Sequence, residues 1–315
     1  MGRKIVILGT GGTIAGTGPV GGNSYTAAQL SAEQLVGSIP ALMQAAGGEL
    51  QVEEVARIDS KDMTHAVWQQ LAQRCLAHLA DDTVGGIVIT HGTDTLEETA
   101  WLLHEVLPAD KPVVLACAMR PATALCPDGP QNLLDAVDVA AHPQACGVLA
   151  VVAGSIHGAR EVAKVHPQRL DAFASLDGGP LGWVQAGDVR WAHAAPPRPA
   201  APRHGELLLA PAFMAPEWPR VEIVLSHAGS DGMLIDALVA GGVRGIVVAA
   251  TGNGTLHERL QAALRRAIAA GVAVRIASRC GEGCISPITD QAWKDAGGLS
   301  PVKARIRLML ELMQP

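Results

Sequence analysis

The chain has 315 residues, enough for one large or two ordinary domains with a sizeable core. A net charge of −6 and the lack of any Lys/Arg cluster argue against nucleic acid as a main partner, and no apolar run approaches the ~20 residues of a membrane span. Hydrophobic residues make up 49% of the chain, yet only six Trp, two Phe and one Tyr are present, so Ala, Val, Leu and Gly must fill the interior.

Six cysteines (75, 117, 126, 146, 280 and 284) form no C-x-x-C pair, and only Cys280 and Cys284 lie close in sequence. They read as buried or free thiols rather than metal ligands, because Cys mostly behaves as a small hydrophobe. The first strand begins by residue 4, with no charged n-region, long apolar core or cleavage site before it. A cytoplasmic protein is the expectation for the chain as it stands.

In chain order, residues 4–8 (KIVIL) read as a buried strand that runs into Gly9-Thr10-Gly11-Gly12-Thr13-Ile14. Residues 16–25 form a Gly-rich loop, a candidate lid, ending in Tyr25, the only tyrosine. That side chain is either a surface contact or a phenol delivered near Thr13 as a proton carrier. A helix is expected over 27–46, then a strand over 50–58 ending in Asp59-Ser60-Lys61-Asp62, then a helix to about residue 79 with Val67, Leu71, Cys75 and Leu79 at helical spacing. Ser60 either starts that helix or offers its hydroxyl to a ligand.

Residues 86–101 (GIVITHGTDTLEETAW) are the stretch around which the chain is organised. An apolar strand feeds a helix through His91, Gly92, Thr93 and Asp94, which places the turn at the carboxyl end of a parallel sheet, where open α/β folds bind ligands. Asp94 and Glu97 also fit a helix capping box. A strand over 112–116, the turn Ala118-Met119-Arg120-Pro121, a helix over 132–141 and a strand over 147–153 follow. Beyond them lies Lys164, either a surface lysine or a member of the site. Strands alternating with helices mean βαβ units. The fold class is therefore α/β, with a larger N-terminal parallel-sheet (flavodoxin/Rossmann-like) domain over 1–190. A Pro/Ala-rich linker over 191–220 and a smaller C-terminal α/β domain over 221–315 complete the chain. The smaller domain has strands expected at 221–225, 245–249 and 272–277, and helices at 234–240, up to 270, and 302–313.

A dinucleotide site fails on its own fingerprint: Gly9-x-Gly11 begins it, but position 14 is Ile, and no acidic residue stands at a second strand end at the required distance. No phosphate-binding G-x-x-x-x-G-K-[ST] occurs either, and no cofactor is expected. Hydrolysis uses the polar groups better. A threonine becomes a nucleophile when a neighbouring base takes its proton, and Tyr25 and Lys164 are the candidate carriers. Gly11, Gly12 and Gly92 let backbone N–H groups approach as an oxyanion hole requires. Asp94 is an anion suited to an α-ammonium group or to holding Lys164. No metal is needed for amide hydrolysis by such a set.

Two stretches, TGGTIAG at residues 10–16 and THGTDTLEETA at residues 90–100, resemble the paired signature motifs of the bacterial-type L-asparaginase family. The likeness continues through Ala118–Pro121, the lysine of 160–164, the GPLG of 179–182 and the TGNG of 251–254, over nearly the whole chain. The resemblance implies Thr13 as nucleophile, Tyr25 as its activating tyrosine, and Thr93 with Lys164 as a second hydroxyl and its lysine. It further implies Asp94 as the grip on a substrate amino group, Ser60 as the holder of its carboxylate, and Gly12, Asp59, Lys61 and Gly92 around them. Homotetramers of intimate dimers are implied too, with Asn253 approaching from a neighbour. Two departures concern specificity. Lys61 stands where many members have glutamine, and only Glu282 and Asp290 are candidates for the neighbour's substrate-binding glutamate. Asparagine is the expected substrate, with glutamine as the broader alternative. An amidotransferase subunit, a non-catalytic amino-acid-binding module and a nucleotide-binding protein are the competing classes.

Overall fold

The apolar run after residue 3 becomes strand β1 (Lys4–Gly11), buried from Ile5 onward. The computed structural model describes residues 3–19, 24–192, 202–286 and 293–314. Where one helix was expected over 27–46, the chain makes two short ones, α1 (Ala32–Gly37) and α2 (Ala41–Ala45). Pro40 stands between them as the cap of the second: it has no N–H to donate and its ring would clash with the preceding turn of a continuous helix. Ser31 and Gln34 open α1 with a reciprocal capping box.

Strand β2 (Leu50–Ile58) and helix α3 (His65–Leu79) follow, the helix burying Trp68, Leu71, Ala72 and Cys75. Next come β3 (Val84–Thr90), α4 (Leu96–Val106), β4 (Val113–Ala116), α5 (Gly129–Ala141) and β5 (Val148–Val152). These five strands are parallel in the order β2-β1-β3-β4-β5. From β1 the chain winds to one side, and from β3 onward to the other. That reversal opens a crevice outside the carboxyl ends of β1 and β3. Ile5, Ile7, Val88, Val114 and Leu149 pack against Leu133, Ala136, Val137 and Ala140 of α5. Each large aliphatic so buried contributes roughly 1.5–3 kcal/mol.

The sheet does not stay parallel. Antiparallel strands β6 (Ser155–Gly158), β9 (Gly182–Gln185) and β10 (Asp188–Trp191) extend it beyond β5, while β7 (Val162–Lys164) pairs with β8 (Phe173–Ser175). Strands of three or four residues carry too little alternation to be read from sequence.

The chain forms two compact units, Met1–Leu208 and Leu209–Pro315. Of the Pro/Ala-rich stretch, residues 193–201 lie outside the described residues; beyond them a 3-10 turn (Gly205–Leu209) and helix α6 (Pro211–Met214) bury Leu207, Leu208 and Phe213. The second unit holds β11 (Val221–Leu225), α7 (Met233–Ala240), β12 (Gly245–Ala250), α8 (Glu258–Ala269), β13 (Ala273–Ser278) and α9 (Pro301–Glu311). Its three strands are parallel in chain order, over a core that includes Ile235, Ile246, Val248, Leu260 and Ile276. Among the described residues no helix is long and apolar enough to cross a membrane.

Candidate active site

Two turns meet at the crevice. At the end of β1 the backbone passes through Gly11 and Gly12 at φ 96° and 82°, a region that favours glycine, and Gly12 N–H donates to the Ile58 carbonyl at 2.8 Å. Thr10 Oγ1 donates to the Thr90 carbonyl at 2.8 Å and ties the ends of β1 and β3 together. The chain then turns at Thr13–Ala15, and the Thr13 hydroxyl, 7% exposed, lies 2.8 Å from the Tyr25 phenol oxygen. Mutual hydrogen bonds between Thr17 and Thr26 fix the base of the loop that carries Tyr25. The tip of the candidate lid, residues 20–23, lies outside the described residues.

The second turn follows β3. The capping box expected of Asp94 and Glu97 is absent: Thr95 is the N-cap of α4 and makes no side-chain cap bond. Both carboxylates turn instead to Lys164 at the end of β7. Its Nζ donates to Asp94 Oδ1 at 2.6 Å and to Thr93 Oγ1 at 2.8 Å, and its backbone N–H donates to Glu97 Oε1 at 3.3 Å. For Asp94 the charged donor makes the stronger bond, which accounts for its preference over a backbone amide of α4; Glu97 exchanges a cap for the backbone amide of Lys164. Ser60 is buried beside this turn. Its hydroxyl oxygen accepts from the Asp94 N–H at 3.1 Å, which leaves the hydroxyl proton for a ligand, and its carbonyl accepts from Thr95 Oγ1 at 2.8 Å. Asp59 caps the short turn that contains Ser60.

A cavity of about 590 Å³ is lined by Thr13, Tyr25, Asp59, Ser60, Thr93, Asp94 and Lys164. Gly12 and Gly92 lie at the contact between the two turns. Lys61 does not line the cavity: exposed, it ion-pairs with Asp62, and that hydrogen bond holds its ammonium pKa above the usual value. That pairing engages the cation, with the Asp59 and Asp94 carboxylates near enough to act on it as well. Met119, Arg120, Pro121, Ala124, Leu125, Pro167 and Gln168 complete the lining, and sequence reasoning gives none of them a role at the site. Asp128 shapes part of it by accepting from the backbone N–H groups of Met119 and Arg120, each at 2.9 Å. For Arg120 a signal existed, since its turn follows the carboxyl end of β4; Gln168, between β7 and β8, had none.

In the second unit, Asn253 accepts from Ser286 N–H at 2.7 Å and lines a hollow of about 230 Å³ with Cys280, Glu282 and Cys284. Asp290 lies outside the described residues.

Residues 4–197 match the family model described as "Asparaginase, N-terminal", and residues 220–315 the "Glutaminase/Asparaginase C-terminal domain". The chain is 37% identical to L-asparaginase 2 of Escherichia coli over 99% of its own length and 89% of that protein's. It is 38% identical to the glutaminase-asparaginase of Pseudomonas fluorescens, covering 98% of this chain and 86% of the other. Among solved structures it superposes on that of a probable cytoplasmic L-asparaginase from Campylobacter jejuni with a TM-score of 0.90 at 34% identity, covering 99% and 96% of the two chains. A crevice at the sheet's switch point, lined by hydroxyls, a phenol and an amine, thus belongs to an amidohydrolase. Both halves of the chain being matched in order, it is a member of the asparaginase family.

Proposed function

We propose that this protein is an L-asparaginase that converts L-asparagine to L-aspartate and ammonia through a covalent intermediate on Thr13. The observation that carries the reading is the 2.8 Å contact between Thr13 Oγ1 and Tyr25 Oη in the same cavity as the Lys164–Thr93–Asp94 cluster. In the proposed course, Asp94 takes the substrate's α-ammonium group and the Ser60 hydroxyl donates to its α-carboxylate. The Thr13 oxygen attacks the side-chain amide carbon while Tyr25, in its phenolate form, takes the Thr13 proton, to return it when the acyl–oxygen bond later breaks. Backbone N–H groups of the two glycine turns meet the developing oxyanion, one such donor being worth roughly 10²–10³ in rate. Collapse breaks the C–N bond, the leaving nitrogen takes a proton from the Thr93–Lys164 pair, and ammonia departs. Water then attacks the acyl carbon, gives its proton to the same machinery, and releases aspartate and the Thr13 hydroxyl.

Glutaminase-asparaginase activity is the second reading. A cavity of about 590 Å³ has room for one more methylene, and a relative of this chain is named for both amides. Ammonia release from L-asparagine and from L-glutamine, each at low and high concentration, tests both readings with Thr13→Ala alongside. Turnover that vanishes in the variant supports the threonine route, and the ratio of the two amides sets the specificity. Binding of aspartate without ammonia release would favour a non-catalytic module. The homotetramer implied by the family resemblance belongs to the same proposal and is tested by light scattering.

A further inference from the structure

Among the titratable groups that the reaction just described does not use, one is wholly buried directly behind the site. His91 is 0% exposed, immediately before Gly92 and Thr93, and its ring is held at both nitrogens. Nδ1 lies 2.7 Å from the Gly92 carbonyl oxygen, and Nε2 lies 2.9 Å from Thr99 Oγ1 on α4. The indole Nε1–H of Trp68 on α3, also buried, donates to that same Thr99 oxygen at 2.9 Å.

The two ends of this chain decide where every proton sits. A carbonyl oxygen only accepts, so His91 Nδ1 carries a hydrogen and donates it to Gly92. An indole N–H only donates, so Thr99 Oγ1 accepts from Trp68 and keeps its own proton to give. The remaining partner for that proton is the His91 Nε2 lone pair. With the hydrogen on Nε2 instead, the Nδ1 lone pair would face the carbonyl oxygen, and the Thr99 proton would be left facing a ring N–H in a dry interior. An unmade hydrogen bond of this kind costs about 1–3 kcal/mol.

We infer that His91 is a positioning residue for the proposed amide hydrolysis: locked as its Nδ1–H tautomer by the Trp68–Thr99 chain, it fixes the Gly92–Thr93 peptide and so aims Thr93. The inference rests on the hydrolase reading. A trans peptide is planar, so holding the Gly92 oxygen against the buried ring turns the Thr93 N–H to the opposite side. Thr93 and Asp94, which line the cavity, follow directly from that plane. Burial also pushes the ring's pKa down to about 4, outweighing the opposing bond to Gly92, so the imidazole is neutral at neutral pH. Displacements of about 1 Å at a reacting group can change rates 10²-fold, which makes one rigid peptide worth a three-residue support. A histidine serving only to fill the core would affect stability without this selectivity for turnover.

The test uses the full-length protein labelled with ¹⁵N at histidine, together with Thr99→Val and Thr99→Ser. The expected nitrogen spectrum shows His91 with hydrogen on Nδ1 and a bare Nε2, and Thr99→Val shifts that Nε2 signal. In ammonia release, Thr99→Val should lower kcat by about tenfold or more with KM within about threefold, and Thr99→Ser, which restores the hydroxyl, should recover most of the loss. Hydrogen on Nε2, an unchanged kcat in Thr99→Val, or a loss that serine does not rescue would each overturn the proposal. The spectrum of the unaltered protein needs no variant to fold. Should that protein release no ammonia from either amide, the hydrolase reading and His91's catalytic purpose fall together, while the nitrogen signals still decide the tautomer by themselves.

Discussion

Gly12 and Gly92 meet backbone to backbone: a Cβ placed on Gly12 would lie 2.4 Å from both the Cα and the N of Gly92, and one on Gly92 would lie 2.5 Å from Ser60 Oγ. Three turns, after β1, β2 and β3, therefore close on one another with no room for a methyl group. The close approach brings Thr13, Ser60 and Thr93 to one cavity.

Gly12→Ala should accordingly damage the site at its centre. The backbone at φ 82°, ψ −172° alone costs an alanine about 1–3 kcal/mol, and the overlap with Gly92 forces the two turns apart. Expected are a lower denaturant midpoint and a fall in ammonia release larger than the loss of stability explains. Near-normal turnover would show that the two turns adjust independently.

Lys164→Met should keep the length of the side chain and lose its proton. The Thr93 hydroxyl and the Asp94 carboxylate both accept from Lys164 Nζ, so kcat should drop by roughly 10²–10⁴, the usual worth of a positioned proton carrier, with a smaller effect on KM. Lys164→Arg should not rescue it, because a guanidinium does not release its proton. Steady-state kinetics of both variants check the point.

Asp138 on α5 gives a pH signature. Burial, with Asp135 nearby as the second cause, pushes its carboxyl up to about 6. Between about pH 4 and 6 the folded chain then holds a proton that the unfolded chain has released, so this group lowers stability as the pH rises through that window and keeps it lowered above. Asp138→Asn should raise the melting temperature by a few degrees near pH 7.5 and change it little near pH 3.5. Thermal unfolding at the two pH values reads the difference.

Thiol reactivity should divide the cysteines by depth. Cys75 and Cys117 are fully buried and their thiols are pushed well above the ordinary range by desolvation, whereas Cys126, Cys280 and Cys284 are exposed. A thiolate-specific reagent should label the exposed three quickly in the native protein and reach Cys75 and Cys117 only on unfolding. Early labelling of either would place an opening motion in α3 or beside β4.

Much of this architecture is legible from the sequence, for a physical reason. Strands β1 and β3 are long apolar runs, as buried parallel strands must be, whereas β2, at the sheet edge and mostly half-buried, carries Gln51, Glu53, Glu54 and Arg57 among its apolar residues and still has the bounds expected for it, 50–58. The same logic pointed to Thr13, Ser60 and Thr93, each just beyond a strand's carboxyl end. What it could not supply was pairing across distance. Asp94 holding Lys164, 70 positions away, is one of two roles the sequence leaves open for that carboxylate, but nothing local decides between them, and nothing local says that Trp68 reaches His91 through Thr99. Helix 27–46 was overextended because its apolar stripe runs on through Pro40, and β6 to β10 escaped because each is too short to show a period.

Tyr25 has one more consequence. It is the only tyrosine in 315 residues, and its oxygen is the one that faces Thr13. Every phenol resonance or ionisation signal from the protein therefore arises at a single atom beside the nucleophile of the proposed reaction. Fluorotyrosine incorporated uniformly would give one ¹⁹F line, with no assignment to make. The molecule thus comes with a spectroscopic reporter site already built in, one that registers ligand entry and the state of that phenol without a change of sequence.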